Sequence, residues 1–568
     1  MSVLTNKKTA QGLSIILVAV LVCGGLTWSV FGQSERAEEV RPEGLPEPSV
    51  GPGGVHGQSS ANAGQGPIQS LSQGMASKVG SAVVDKTIES FKFLDNAVET
   101  GFVTIPPDPI GAASKTRLVS VVNVMIETRT KEGVLVWRDS LRDFFAPLSP
   151  LTLTFDPKVI YDHYEGRFMV VTLEQVTGTM SIDAANVSRI LLAVSKTGTP
   201  HSGTPADWYF HAINSKQVVS TFDVWADYPG FEADEEAVYI TANMFTFVPF
   251  GLFGGVRLWI VDKGVATGGF YAGGPASVTV HNPYAAAGIA TTTMPAQVFG
   301  AGGVGGPGSS IGTFLVSYSG LTFGGAGPEA AQVVRVNDPL GAAGGPFFAQ
   351  QFVVVGNIEG PAFPALPDAP QAGTTRLIEV NDRRALDAVW RNNELWFTTT
   401  ILPNSGPDIG QTTAHWFKLD TSAPSGVILL TDEGNIGGED IALTTFTFFP
   451  AVAVNSSGDA MFGFSASAGT IFAGAFAAGR QASDPPGTVR ASQTVHAGVD
   501  FYVRTFSMNP AARNRWGDYS GIAVDPVNDN FFWVFNEYAD TRGTVIVGED
   551  GRWGTAWGRV KIIGGGAP

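Results

Sequence analysis

The sequence predicts an all-β protein built as one large β-propeller, and three observations carry that prediction. Short apolar runs rich in Val, Ile, Phe and Thr are set off by Gly, Asp, Asn and Pro; a strand-and-turn unit recurs every 63 to 82 residues; and no long amphipathic helical pattern interrupts the chain after residue 90. Composition agrees. Gly supplies 70 of 568 residues and Pro 35, and charged residues are only 15%, which suits many short strands joined by tight turns.

The first element is an apolar run, LSIILVAVLV at 13–22, preceded by Lys7 and Lys8, the charge pattern of an export leader. Counted on through Trp28 and Phe31 it reaches about 20 residues, long enough to stay as a membrane anchor. Val30 and Gly32 also offer a small-residue cleavage site before Gln33, so residues 1–32 read as a signal peptide or a signal anchor. Residues 33–88 follow as a Pro/Gly/Ser-rich linker whose sparse apolar content cannot offset the entropy of ordering, and a disordered spacer is expected there. The propeller is then expected over 89–568, outside the cytoplasm.

Within the body the copies are visible by eye. DYPGFEADEEAVYITANMF from Asp227 and DYSGIAVDPVNDNFFWVFNEY from Asp518 share one plan, and FDPKVIYDHYEGRFMVV from Phe155, LDAVWRNNELWFTTT from Leu386 and FFPAVAVNSSGDAMFGFSAS from Phe448 follow it. A weaker copy is placed at SSIGTFLVSYSG from Ser309, and PPDPIGAASKTRLVSVVNVMIETRT contributes another strand pair near Thr116. Seven blades are favoured and six remain an alternative. The only cysteine, Cys23, lies in the leader, so the body has neither a disulfide framework nor a thiolate metal site.

Several of these segments, PPDPIGAA, FDPKVIYDHYEGRF, VWRNNELWFTTT, FPAVAVNSSGDAMFGFS, the run from Trp516 and the closing WGTAWG from Trp553, resemble a group of secreted bacterial β-propeller proteins, mostly uncharacterised. The resemblance covers nearly all of the chain after residue 100. It implies a fold and an exported location and brings no activity with it. The chain departs from the group in its lack of cysteines and its longer Gly/Ala-rich inserts.

Charge and motifs narrow the function. A formal net charge of −16 without any Lys/Arg-rich run excludes a phosphate-tracking, nucleic-acid-binding surface, and leaves the N-terminal segment as the only membrane link. No Gly-x-Ser-x-Gly elbow, Walker A loop, His-Glu-x-x-His or dinucleotide fingerprint occurs in a suitable context. In a propeller, residues entering the innermost strand of each blade gather at one end of the channel, so Asp108, Asp156, Asp227 and Asp518 are candidate catalytic carboxylates. Turn capping by each Asp is the competing reading. Asp387, Arg167, Arg391 and Arg515 are candidate ligand-binding residues at the same rim, the guanidinium groups suiting a carboxylated ligand. Asp525, Asn528 and Asp529 bring oxygen atoms close together as a weak calcium candidate, against an ordinary strand-joining turn.

Two functional readings follow. The first is a binding or scaffold module for an extracellular polymer, glycan or surface protein. The second is a polysaccharide-active hydrolase or lyase using the clustered carboxylates at the channel mouth.

Overall fold

A computed structural model of the chain describes residues 38–40, 81–284, 292–300, 312–322, 328–359, 366–509, 511–543 and 545–563. The leader 1–32 and most of the linker 33–88 lie outside the described residues. Among the described residues no helix is long and apolar enough to cross a membrane.

Seven sheets of four or five strands stand around a central channel, each sheet one blade. In chain order the channel-lining strands of blades 1–7 are Ile110–Ala113, Phe155–Asp162, Phe222–Ala233, Thr293–Pro295, Asp387–Arg391, Phe446–Val454 and Gly521–Val524. Each packs on the next, and the seventh returns to the first, so the ring closes. Closure uses the two ends of the body. Ala82–Lys92 runs antiparallel to Trp553–Ile562, with Ile88 opposite Trp557, and supplies the outer strand of blade 7. The body thus begins at Ala82, inside the span read as linker.

The blades hold together face to face. Ala237–Thr246 and Ala460–Ala468 are buried along their whole length, which is why they read as continuous apolar or small-residue runs with little alternation. Large side chains of one blade fill the space left by small ones on the next: a Cβ on Gly111 of blade 1 would stand 2.2 Å from the Trp557 ring of blade 7. That contact requires the glycine of Pro-Ile-Gly-Ala. Around it, Trp557 meets Phe535 at 4.6 Å between ring centroids and Trp533 at 6.2 Å.

The repeat has a structural cause. In blades 2, 3 and 6 the ladder between the first two strands shifts register at an Xaa-Pro pair, Asp156-Pro157, Tyr228-Pro229 and Phe449-Pro450. Proline cannot donate to a ladder, so the pair bulges out as the chain enters the channel. The residue before proline takes a left-handed conformation each time, with φ of 49°, 50° and 51°, and Asp108 before Pro109 in blade 1 matches them at 49°. One expectation moves. The innermost strand of blade 4 is Thr293–Pro295, and the segment after Ser309 provides the second strand, Thr313–Thr322; residues 309–311 lie outside the described set.

Candidate functional site

The end where the innermost strands start, the entry end, is closed. Tyr228 of blade 3 donates its hydroxyl to the Asp518 carbonyl at 3.0 Å, and Tyr519 of blade 7 donates to the Pro157 carbonyl of blade 2 at 2.9 Å. Their rings meet edge to face with centroids 5.8 Å apart, so the pair spans the channel. Two long connections cover them from outside. Residues 366–386 and 497–520 are tied by Glu379 N–H to the Asn514 carbonyl at 3.0 Å and by Gln371 and Tyr502, which exchange two bonds of 2.7 Å. Leu366, Ala369, Ile378, Val380, Tyr502 and Trp516 of this cap bury together with Phe448 and Phe449.

Four predicted carboxylates lie in this closed end. Asp108 and Asp156 are fully buried, and Asn123 ties them: its amide donates to Asp108 Oδ2 at 2.6 Å, and its carbonyl oxygen accepts the Asp156 N–H at 2.9 Å. Asp156 in turn accepts the Tyr228 N–H at 3.0 Å. Asp518 accepts from Arg515 at 2.6 Å and from Asn381 at 2.8 Å. Asp227 is also fully buried. Burial, with the Asp518 charge beside it, pushes the Asp108 carboxyl well above the usual carboxylate range, and burial does the same for Glu537 next to Asp108 and Asp518. The expectation that these aspartates face an open channel mouth is corrected, because the tyrosine pair and the cap exclude solvent from them. Arg515 is occupied by Asp518 behind the same barrier. Arg167 is not on the channel rim either: its guanidinium donates to the Tyr271 carbonyl at 2.6 Å and lies over the Tyr271 ring, between blades.

Among the described residues the opposite, exit end is open. A cavity of about 340 Å³ occupies the channel and is lined from the innermost strands of all seven blades. Its floor meets the tyrosine barrier through Lys158, which lines the cavity and packs on Tyr519. There Lys158, only 4% exposed, places its ammonium 3.1 Å from the centroid of the Tyr519 ring. Glu232 and Asp387 line the same cavity. Asp387 is held rigidly, one oxygen accepting its own strand's Ala388 N–H and the other the Val452 N–H of blade 6, both at 2.9 Å. Burial raises Asp387 to about 6, against the Val452 N–H and Lys158, which favour its charge. Glu232 is pushed well above its usual range by burial and the Asp387 charge. Burial lowers the Lys158 amine to about 8, although Asp387, Asp108, Asp156 and Asp518 all favour its charged form.

At the rim Arg391 donates to the Val454 carbonyl at 3.0 Å and lies 4.7 Å over the Phe299 ring, on which His163 also stacks at 4.6 Å. Desolvation lowers His163 to about 4, so it is neutral at physiological pH. Of the predicted ligand-binding residues, Asp387 and Arg391 therefore share the cavity, while Arg167 and Arg515 do not.

The calcium candidates are otherwise engaged. Asp525 accepts Lys131 Nζ at 2.9 Å, the Val527 N–H at 2.8 Å and the Trp533 indole N–H at 2.8 Å, and Asp529 accepts the Ser456 N–H at 3.0 Å. This is the strand-joining turn. Among the described residues no group of three His, Cys, Asp or Glu side chains is placed to hold a metal ion.

Lys158 and Glu232 were not among the residues singled out from the sequence, yet a signal existed. Where Lys158 follows its bulge, blades 1, 3, 6 and 7 have Ile110, Gly230, Ala451 and Gly521; two residues on, Glu232 stands where the others have Ala112, Ile160, Ala453 and Ala523. A charge at a position the repeat keeps apolar marks the floor.

No family model matches the sequence, and no curated protein matches it. Among solved structures, a protein of unknown function from Dyadobacter fermentans is similar at 10% identity over 85% of this chain and 100% of its own, with a TM-score of 0.35. An α-L-arabinofuranosidase from Fusarium graminearum aligns at 10% identity over 85% of this chain and 98% of its own, with a TM-score of 0.32. A Trypanosoma rangeli sialidase aligns at 9% identity over 78% of this chain but only 57% of its own, with a TM-score of 0.32. Likeness at this level says nothing about what this chain binds.

Proposed function

We propose that the protein is an exported binding propeller that receives part of an extracellular polymer or glycan in the exit end of its channel. The observation that carries the proposal is the cavity: one concave site lined by seven blades, with apolar and polar residues mixed in its walls and Lys158, Glu232 and Asp387 among them, a make-up suited to a small polar ligand. Export rests on the Lys7/Lys8 and 13–22 pattern of the leader. A second reading, hydrolysis of a polysaccharide, is favoured by one specific observation, that Glu232 and Asp387 share the pocket with different hydrogen-bonding surroundings. Asp108, Asp156, Asp227 and Asp518 have no part in either reading.

The test is thermal unfolding of the full chain with neutral and acidic polysaccharides, followed by product analysis on any that bind. A ligand selective for the folded state raises the melting temperature by mass action. A shift with one glycan, lost in Asp387→Asn, supports the site. Release of shorter sugars by wild type but not by Glu232→Gln moves the assignment to hydrolysis, and no shift with any glycan overturns both.

A further inference from the structure

We infer that the cavity recognises the free end of an uncharged sugar chain, entering from the exit face, through two neighbouring hydroxyl groups that bridge Lys158, Glu232 and Asp387. This rests on the glycan-binding reading and adds to it the ligand's charge, its direction of entry and the groups that hold it.

Direction follows from the closed end. The crossed hydroxyl bonds of Tyr228 and Tyr519 stop the channel part-way, and the cap of 366–386 and 497–520 lies behind them. A polymer cannot thread such a channel. It can present only a terminus.

The chemistry follows from what the floor lacks. Among the described residues Lys158 Nζ makes no hydrogen bond to an acceptor and no ion pair within 4 Å, although it is only 4% exposed and lines the cavity. Its ammonium lies 3.1 Å from the centroid of the Tyr519 ring and 5.7 Å from that of Tyr228. An ammonium taken from water without an acceptor is costly, so the floor is short of one oxygen acceptor. Asp387 presents the complementary need: two backbone N–H groups fix its oxygens and leave lone pairs for a donor. A hydroxyl group is both donor and acceptor, and a neighbouring pair meets the ammonium and the carboxylate at once.

Charge excludes the alternatives. An anionic terminus would bring a second negative charge beside Asp387, with Asp156 and Asp518 behind it; a cationic one would meet Lys158. The ammonium and the Asp387 carboxylate nearly cancel, and a neutral ligand disturbs neither. Ile110, Phe231, Met294 and Ile522 supply apolar walls for the C–H faces of a sugar ring.

The experiment uses calorimetry on the full chain with a panel of linear neutral oligosaccharides, their cyclic counterparts of the same sugar and linkage, and uronic-acid-ended chains. Mild periodate, which cleaves the carbon–carbon bond between neighbouring hydroxyls, is applied to each linear ligand. The expected result is binding of a linear neutral chain, at least tenfold loss with the cyclic form and after periodate, and at least tenfold loss in Lys158→Met. Equal binding of the cyclic form overturns end recognition, and preference for the acidic end overturns the uncharged ligand; both leave glycan binding standing. Binding that survives periodate removes the diol. If no sugar binds at all, the inference falls together with the reading beneath it. The ligand arms decide the matter even if the variant does not fold.

Discussion

The two ends of the channel are made from the same repeat and have opposite characters. At the entry end blades 2, 3 and 6 bring in their bulges, and much of the polar surface gathered there finds protein partners: Asn123 for Asp108 and Asp156, Arg515 and Asn381 for Asp518, a carbonyl for each tyrosine hydroxyl. At the exit end, among the described residues, Lys158 has aromatic rings but no hydrogen-bond acceptor, and Asp387 has backbone donors alone. Clustered acids alone therefore do not mark a site in this fold. Groups left short of a partner, at a place a ligand can reach, do so better.

The comparison breaks most violently at Arg515. Its guanidinium pairs with Asp518 at 2.6 Å, and both are almost wholly buried. Replacing it with Leu strands that carboxylate next to Asp108 and Glu537, and loss of one partner of a buried pair costs about 3–5 kcal/mol. Denaturant unfolding should show Arg515→Leu as strongly destabilised. A mild effect would mean that the entry end is less tightly built than its hydrogen bonds imply.

Lys158→Met should act in the other direction. The native amine is lowered from 10.5 to about 8, so the folded protein holds the proton less tightly than the unfolded chain. Wild-type stability then rises as pH climbs from about 8 towards 10.5, and below 8 the full cost of burying the charge is present, up to about 3 kcal/mol. Removing the charge relieves that cost. The melting temperature at pH 7 should hold or rise while ligand binding is lost, the pattern of a residue kept for function at the expense of stability. A marked fall in melting temperature would assign Lys158 to the structure.

Asp387→Asn sharpens the same point through its pH dependence. A carboxyl raised from 3.8 to about 6 keeps its proton in the folded state over a range where the unfolded chain has lost it. Its contribution therefore favours folding at low pH and declines as pH rises from about 4 to 6, by about 3 kcal/mol. The stability advantage of wild type over Asp387→Asn should narrow across that window, as followed by thermal melts at fixed ionic strength. A constant difference would mean that Asp387 is not held protonated as its burial requires.

Much of the fold was legible in the sequence because blades repeat their turn chemistry. The Xaa-Pro bulge is local, it needs the same residue types in each copy, and so Pro157, Pro229 and Pro450 could be aligned by eye. The alignment of the acids was off by one residue, however. Asp108 and Asp156 occupy the left-handed position that Tyr228 and Phe449 fill in other blades, whereas Asp227 precedes it. Grouping the acids by nearness to the strand entrance passed over that difference, which the spacing to Pro109, Pro157 and Pro229 shows. What closes the entry end was not legible, since residues 366–386 and 497–520 lie between repeats and meet only in three dimensions. The floor could have been found by asking where the repeat is broken, at Lys158 and Glu232, instead of where it is kept.

The smallest effect is expected at the turn once considered for calcium. Asp525 sits at the exit face beside the cavity, and burial works to raise it, but the Lys131 ammonium, the Val527 N–H and the Trp533 indole outweigh burial and hold it below the usual range. A divalent cation would have to displace Lys131 at 2.9 Å and compete with two N–H donors for the same carboxylate. Asn528 adds only a side-chain oxygen that already accepts the Asn530 N–H at 3.2 Å, and Asp529 is turned to Ser456 and Arg391. Three side chains so committed fall short of the six to eight oxygen ligands that calcium takes. Neither millimolar calcium nor EDTA should move the melting temperature of the full chain beyond experimental error. A calcium-dependent rise lost in Asp525→Asn would show instead that the exit end, like the entry end, is completed by a charge the turn was built to receive.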